Sequence, residues 1–105
     1  MNYRVTCVDG FNMSIAVGKD FYCSPRSEKG PWSAVEIGMP SQEEKLLLPY
    51  AEDLSDLTNT VYGWVPSNIV WDVIISHGGI TKGKLPVLCV GKNWKKITGY
   101  IKNEN

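Results

Sequence analysis

Few side chains in this chain are equipped for chemistry, and they are scattered. His77 is the single histidine among 105 residues, so a Ser-His-Asp or Cys-His relay would have to run through it. It ends an apolar helical pattern, a position that suits a core residue or a cation at a helix C-terminus. Cys7, Cys23 and Cys89 are widely spaced with no Cys-x-x-Cys pair, which argues against a disulfide framework and against a zinc site. Cys7 falls mid-strand and reads as a small hydrophobe. Cys23 lies beside Arg26 in a loop, where a nearby guanidinium would favour the thiolate. A small enzyme using Cys23 or His77 is therefore the alternative to a binding role. Glu52, Asp53 and Asp56 crowd one segment without an Asp-x-Asp-x-Asp-Gly loop, so they read as a solvated acidic loop. Phosphate-binding Gly-rich loops, a Rossmann fingerprint and His-Glu-x-x-His are all missing from the sequence. Gly78-Gly79 follows a helix and cannot cradle a phosphate on that helix's N-terminus. Neither a catalytic set nor a metal or cofactor is expected.

Recognition chemistry is better represented. Cys23-Ser24-Pro25-Arg26 reads as a turn presenting a guanidinium, the group suited to bidentate contact with phosphate or carboxylate. Local pairing of Arg26 with Asp20 or Glu28 is the plainer reading. Trp32, Tyr62, Trp64 and Trp71, with Arg26, are the residue types that dominate interface hot spots. A planar ring with a guanidinium also suits a nucleotide: stacking for the base, a fork for the phosphate. The competing reading is that these rings complete the core of a small domain.

The elements that must position these residues centre on Thr60 to Ile80. Val61 to Val65 reads as a strand running directly into a helix over 66–77, with Pro66 in the first turn, Ser67 and Asn68 capping amides, and Gly78 as the left-handed residue beyond. Ile69, Val70, Val73, Ile74 and His77 share one arc of that helix, whereas Trp71 and Ile75 lie nearly opposite. Either the helix is sandwiched or Trp71 and Ile75 meet a partner.

Upstream, Tyr3 to Val8 and Phe11 to Val17 flank Asp9-Gly10. A two-residue loop would put the two apolar sets on opposite faces. A three-residue loop with Gly10 left-handed aligns them, pairing Val5 with Met13 and Tyr3 with Ile15. Gly18 to Pro31 is a long loop, ordered by Phe21 and Tyr22. Pro31 to Gly38 alternates as a strand. Ser41 and Glu44 have capping-box spacing, predicting a short turn at 41–46 followed by Leu46 to Leu48 as extended chain before Pro49. Thr81 to Lys84 is a polar link, Leu85 to Val90 an edge strand limited by Pro86, and Trp94 to Ile101 the second arm of a terminal hairpin. The fold class is α+β: five or six mostly antiparallel strands with one main helix packed on one face. The far face would then present Trp32, Glu36, Tyr62 and Trp64.

The length fits one domain, 1–105, that needs no disulfide or metal. An apolar content of 43% with 21% charged residues places the chain among ordinary globular proteins. No apolar run is long enough to span a bilayer and no signal-peptide pattern opens the chain, so a cytoplasmic setting is expected. Net charge is zero, but residues 81–105 carry six lysines against Glu104, a basic tail on an acidic body. That tail reads as a solvated edge or as a means of association. Zero net charge and the lack of a helix-turn-helix disfavour nucleic acid.

Asp9-Gly10-Phe11, Tyr22-Cys23-Ser24-Pro25-Arg26, Val35-Glu36-Ile37-Gly38, Leu48-Pro49-Tyr50-Ala51-Glu52-Asp53 and His77-Gly78-Gly79 resemble segments of short accessory proteins of bacteriophages and prophages. The resemblance runs from residue 3 to residue 80 and implies an inhibitor of host defence, working in the host cytoplasm by blocking a protein or sequestering a nucleotide. The expectation is a non-catalytic binding protein, homo-oligomeric, acting by occupancy. Arg26, Trp32, Tyr62, Trp64, Trp71 and Ile75 would bind a host protein or a small anionic or nucleotide ligand. A virion structural module is a further alternative.

Overall fold

The computed structural model of the chain describes residues 1–89. The expected terminal hairpin and the lysines at 92, 95, 96 and 102 lie outside the described residues. An antiparallel sheet in the order β4-β3-β2-β1-β5 is built from β1 (Asn2–Cys7), β2 (Asn12–Ala16), β3 (Ala34–Gly38), β4 (Val61–Pro66) and β5 (Ile80–Lys82). Among the described residues one α-helix, α1 (Ser67–Ser76), and a 3-10 helix (Lys45–Tyr50) complete it. This is the α+β fold class expected from the residue pattern.

The β1–β2 hairpin takes the bulged form. Val5 pairs Met13 and Tyr3 pairs Ile15, Cys7 N–H donates to Phe11 O at 2.7 Å and Gly10 N–H to Cys7 O at 3.0 Å, and Gly10 has φ +96°. Val5, Cys7, Phe11, Met13, Ile15 and Val17 thereby share the core, because only this register puts both apolar sets on one face. Burial and the nearby Asp9 charge push the Cys7 thiol up to about 11, so it stays protonated and inert.

Helix α1 follows β4 directly, as expected, and ends in paired cap bonds. Gly78 N–H donates to Ile75 O at 3.1 Å and Gly79 N–H to Ile74 O at 2.9 Å, with Gly78 left-handed at φ +89°. Val70, Val73 and Ile74 are fully buried. The start of the helix departs from expectation. Pro66 is the cap and makes no side-chain cap bond, while Ser67 Oγ donates instead to Trp32 O at 2.8 Å. Ser67 is buried, so its hydroxyl satisfies a tertiary partner rather than the helix's own amides.

Three further expectations are corrected. Residues 45–50 form a 3-10 helix rather than extended chain; Glu44 caps it by accepting from Leu46 N–H at 3.0 Å. Leu47 alone of the three leucines is fully buried, since i→i+3 winding brings one side chain per turn to the core. Thr81 and Lys82 belong to β5, an edge strand paired with β1. Residues 85–89 make only one parallel bridge, Leu88 with Trp32, in keeping with the donor lost at Pro86.

Candidate functional site

Strand β4 decides where the aromatic residues go. Opposite β3, Val35 pairs Val65 but Ile37 pairs Tyr62, so β4 carries one residue more than its partner between these pairs. The bulge resets the alternation. Tyr62, expected on the outer face, turns inward with Val65, and both are fully buried; Tyr62 OH donates to Leu57 O at 2.5 Å. Trp64 absorbs the bulge with φ +48° and stays 47% exposed.

Trp32 is a second correction. It lies just before β3 begins, and the chain there is held by Trp32 N–H to Val87 O at 2.9 Å and Cys89 N–H to Trp32 O at 2.8 Å. Strand alternation therefore does not extend back to it. Its indole is buried in the core, with Nε1 donating to Ser27 O at 3.2 Å. Trp71 is the third: it is 7% exposed, so the helix is covered on that side within its own chain. Ile75 stays 43% exposed. Of the six residues expected to bind, only Arg26, Trp64 and Ile75 face solvent.

Two of these, Arg26 and Trp64, come together with Tyr22. Tyr22 stacks on Trp64, ring centroids 4.8 Å apart at 25°, and Arg26 Cζ stands 6.0 Å from the Tyr22 centroid. Trp64 N–H donates to Tyr22 O at 3.0 Å, tying the bulge to the loop. Arg26 forms no ion pair with Asp20 or Glu28; Glu28 instead accepts from Lys19 N–H at 2.7 Å. Among the described residues the Arg26 guanidinium has no ion-pair partner. The result is a ledge of two stacked rings flanked by an exposed guanidinium.

Beside the ledge runs a groove of about 310 Å³ across the outer face of the sheet. Ser14, Ala16 and Gly38 give it a floor of small residues, with Phe21, Glu36 and Met39 around it. Glu36 belongs to both features, because its Oε1 also accepts from Tyr22 N–H at 3.1 Å. Among the described residues Glu36 has no cation partner.

Comparison with family models, with characterised proteins and with solved structures finds no match. The chemistry of the site must be read from its own residues.

A second constellation surrounds His77. Nδ1 lies 2.5 Å from Asp9 Oδ2 and Nε2 lies 2.6 Å from Glu44 Oε1. The imidazole stacks on Phe11 with centroids 4.2 Å apart and planes within 10°. Burial pulls the imidazolium down, but the bonds to Asp9 and Glu44 and the charges of both carboxylates outweigh it, so its pKa is raised above 6.5. The His77 bond, together with the Phe11 N–H bond, holds the Asp9 carboxyl below its ordinary 3.8. With an acceptor on each ring nitrogen, His77 is a clamp joining the hairpin turn, the 3-10 cap and the end of α1. The residue pattern placed His77 at a cap but offered no signal for its partners: Asp9 reads as a turn residue and Glu44 as a capping residue, and both are those things too. Cys23 is 1% exposed, its Sγ within 3.2 Å of Gly18 O. The described residues contain no group of three or more His, Cys, Asp or Glu able to hold a metal. Among them no helix is long and apolar enough to cross a membrane.

Proposed function

We propose that this chain is a small non-catalytic binding protein that acts by occupancy, capturing a nucleotide on the Tyr22–Trp64 ledge with Arg26 taking the anionic end. The observation that carries the reading is Trp64: a bulky side chain at φ +48°, where a β-carbon costs roughly 1–2 kcal/mol, yet nearly half exposed. An exposed ring held in a strained conformation contributes little to the core, and strain of this kind clusters at binding sites. The open face of Trp64 offers stacking, and Arg26, without an ion pair among the described residues, offers a fork for phosphate. With Trp71 buried in its own chain, the helix retains only Ile75 for a partner, so its face is not part of the proposal. Within the phage setting that the sequence resembles, capture of a nucleotide signal would inhibit host defence. The enzyme alternative has less support: both His77 nitrogens are engaged and Cys23 is buried.

Thermal-shift and fluorescence titrations against a panel of linear and cyclic nucleotides test the proposal. Trp64→Ala and Arg26→Ala are each expected to weaken binding about tenfold or more, from lost stacking worth roughly 1–3 kcal/mol and a lost charged hydrogen bond of about 1.5–3 kcal/mol. No stabilisation of the wild type at millimolar nucleotide rejects the reading. Trp64→Gly adds a separate test: glycine relieves the left-handed strain, so the fold should become no less stable while binding is lost. A marked fall in Tm with Trp64→Gly would mean that Trp64 serves the fold.

A further inference from the structure

Tyr22 is the ring against which Trp64 stacks, and the bonds that hold its backbone come from the sheet. Ser24 bridges Ala34 at the start of β3, its N–H donating to Ala34 O at 3.0 Å. Continued antiparallel, that ladder would bring Tyr22 opposite Glu36. The place is taken: Glu36 already pairs Ala16 of β2, and β4 lies along the other side of β3. With no free backbone edge there, the Glu36 side chain supplies the missing partner, its Oε1 accepting from Tyr22 N–H at 3.1 Å. Tyr22 O in turn accepts from Trp64 N–H at 3.0 Å. The residue is therefore gripped by β3 through its amide and by β4 through its carbonyl. A β-carbon built on Gly63 would stand 3.4 Å from Tyr22 Cβ, so the Tyr22 side chain also packs down on the β4 backbone next to Trp64.

We infer that Glu36 is the positioning residue of the ledge. It acts through Tyr22, seating that ring against Trp64 so that the stacked pair is formed before anything binds. Its consequence for affinity rests on the nucleotide reading above; the ring geometry does not. A preformed stack spares the ligand the cost of ordering a side chain in a long loop, a cost otherwise taken from the binding energy. The role needs an acceptor and not a charge, because the donor is a backbone amide: glutamine can fill it and alanine cannot. In keeping with that, the Glu36 carboxylate has no cation partner among the described residues.

The test compares the full chain as wild type, Glu36→Ala and Glu36→Gln by proton NMR without ligand, and then by titration with AMP and GMP. In the wild type the Tyr22 ring protons should be displaced upfield by the Trp64 ring current, and Trp64→Ala should remove the displacement. Glu36→Ala is expected to lose most of that displacement while the core methyl signals of Val5, Met13 and Ile15 stay in place; Glu36→Gln should restore it. Nucleotide affinity should fall about three- to tenfold in Glu36→Ala, as for one lost hydrogen bond, and stay within about twofold of wild type in Glu36→Gln. A displacement that survives Glu36→Ala, or that Glu36→Gln fails to restore, overturns the inference. So does the lack of any Trp64-dependent displacement in the wild type, or a general loss of the core methyl signals in Glu36→Ala, which would mean that Glu36 serves the sheet. If the ring signals behave as expected and neither nucleotide binds at millimolar concentration, the positioning role stands and the nucleotide reading falls.

Discussion

His77→Ala is expected to lower stability by about 3 kcal/mol, the cost of leaving a poorly exposed carboxylate unpaired and removing charged hydrogen bonds. For a chain of this size that is a fall in Tm of roughly 10–20 °C, readable by circular dichroism. The wild type should also show a pH signature whose sign follows from linkage. His77 has a folded pKa raised above its ordinary 6.5, so its contribution is fully present below that value and is lost as pH rises through the folded pKa. Asp9 runs the other way. Its folded pKa lies below 3.8, so its contribution is present above that value and is lost as pH falls through the folded pKa. Stability should therefore be highest between about pH 4 and 6.5 and decline on the alkaline side. His77→Gln retains a polar side chain without the titrating charge and should flatten the alkaline limb. A wild-type Tm that climbs steadily from pH 6 to 9 would show that the clamp is not an imidazolium held by two carboxylates.

Gly83→Ala is the other large effect. A β-carbon on Gly83 would stand 2.1 Å from Arg4 O and 3.1 Å from Arg4 C, at φ +86°. Both atoms belong to the backbone of β1 and cannot rotate away, so β5 must separate from the sheet edge and Ile80 from the core. The expected cost is about 3 kcal/mol or more. Gly10→Ala supplies the control: its φ is +96°, but nothing lies within 4 Å of the added carbon. It should cost only the left-handed penalty, about 1–2 kcal/mol. Equal losses at the two positions, measured by chemical denaturation, would refute the close approach of Gly83 to β1. Amide exchange should localise the Gly83→Ala defect to β5 and the facing amides of β1.

Much of the fold follows from local rules with a single solution. The β1–β2 register was legible because only a three-residue loop aligns the apolar residues of both arms. The helix stop was legible because Gly78 and Gly79 together supply a left-handed residue and two cap donors. The short β5 was not, since three residues with one buried side chain carry no period. Residues 45–50 were misread because Pro49, which forbids a long α-helix, is compatible with the tighter 3-10 turn.

The site was less legible than the fold. Alternation along Val61 to Val65 assigns Tyr62 and Trp64 to one face, and that inference holds only while β4 and β3 advance in step. Tyr62 and Val65 instead meet Ile37 and Val35, and the extra residue sends Tyr62 inward and leaves Trp64 out. A bulge is a property of two strands, chosen by which side chains fill the space between them. The same holds for His77, whose two acceptors come from positions 9 and 44. What the sequence determined by itself were the features set within a few residues: the turn, the cap, the strand-to-helix junction and the α+β class. Tertiary structure alone decided which aromatic rings reach solvent, that Glu36 accepts from the Tyr22 N–H, and that two distant carboxylates enclose one histidine. Those outcomes depend on long-range packing, where burial of a ring against distant partners outweighs any local preference.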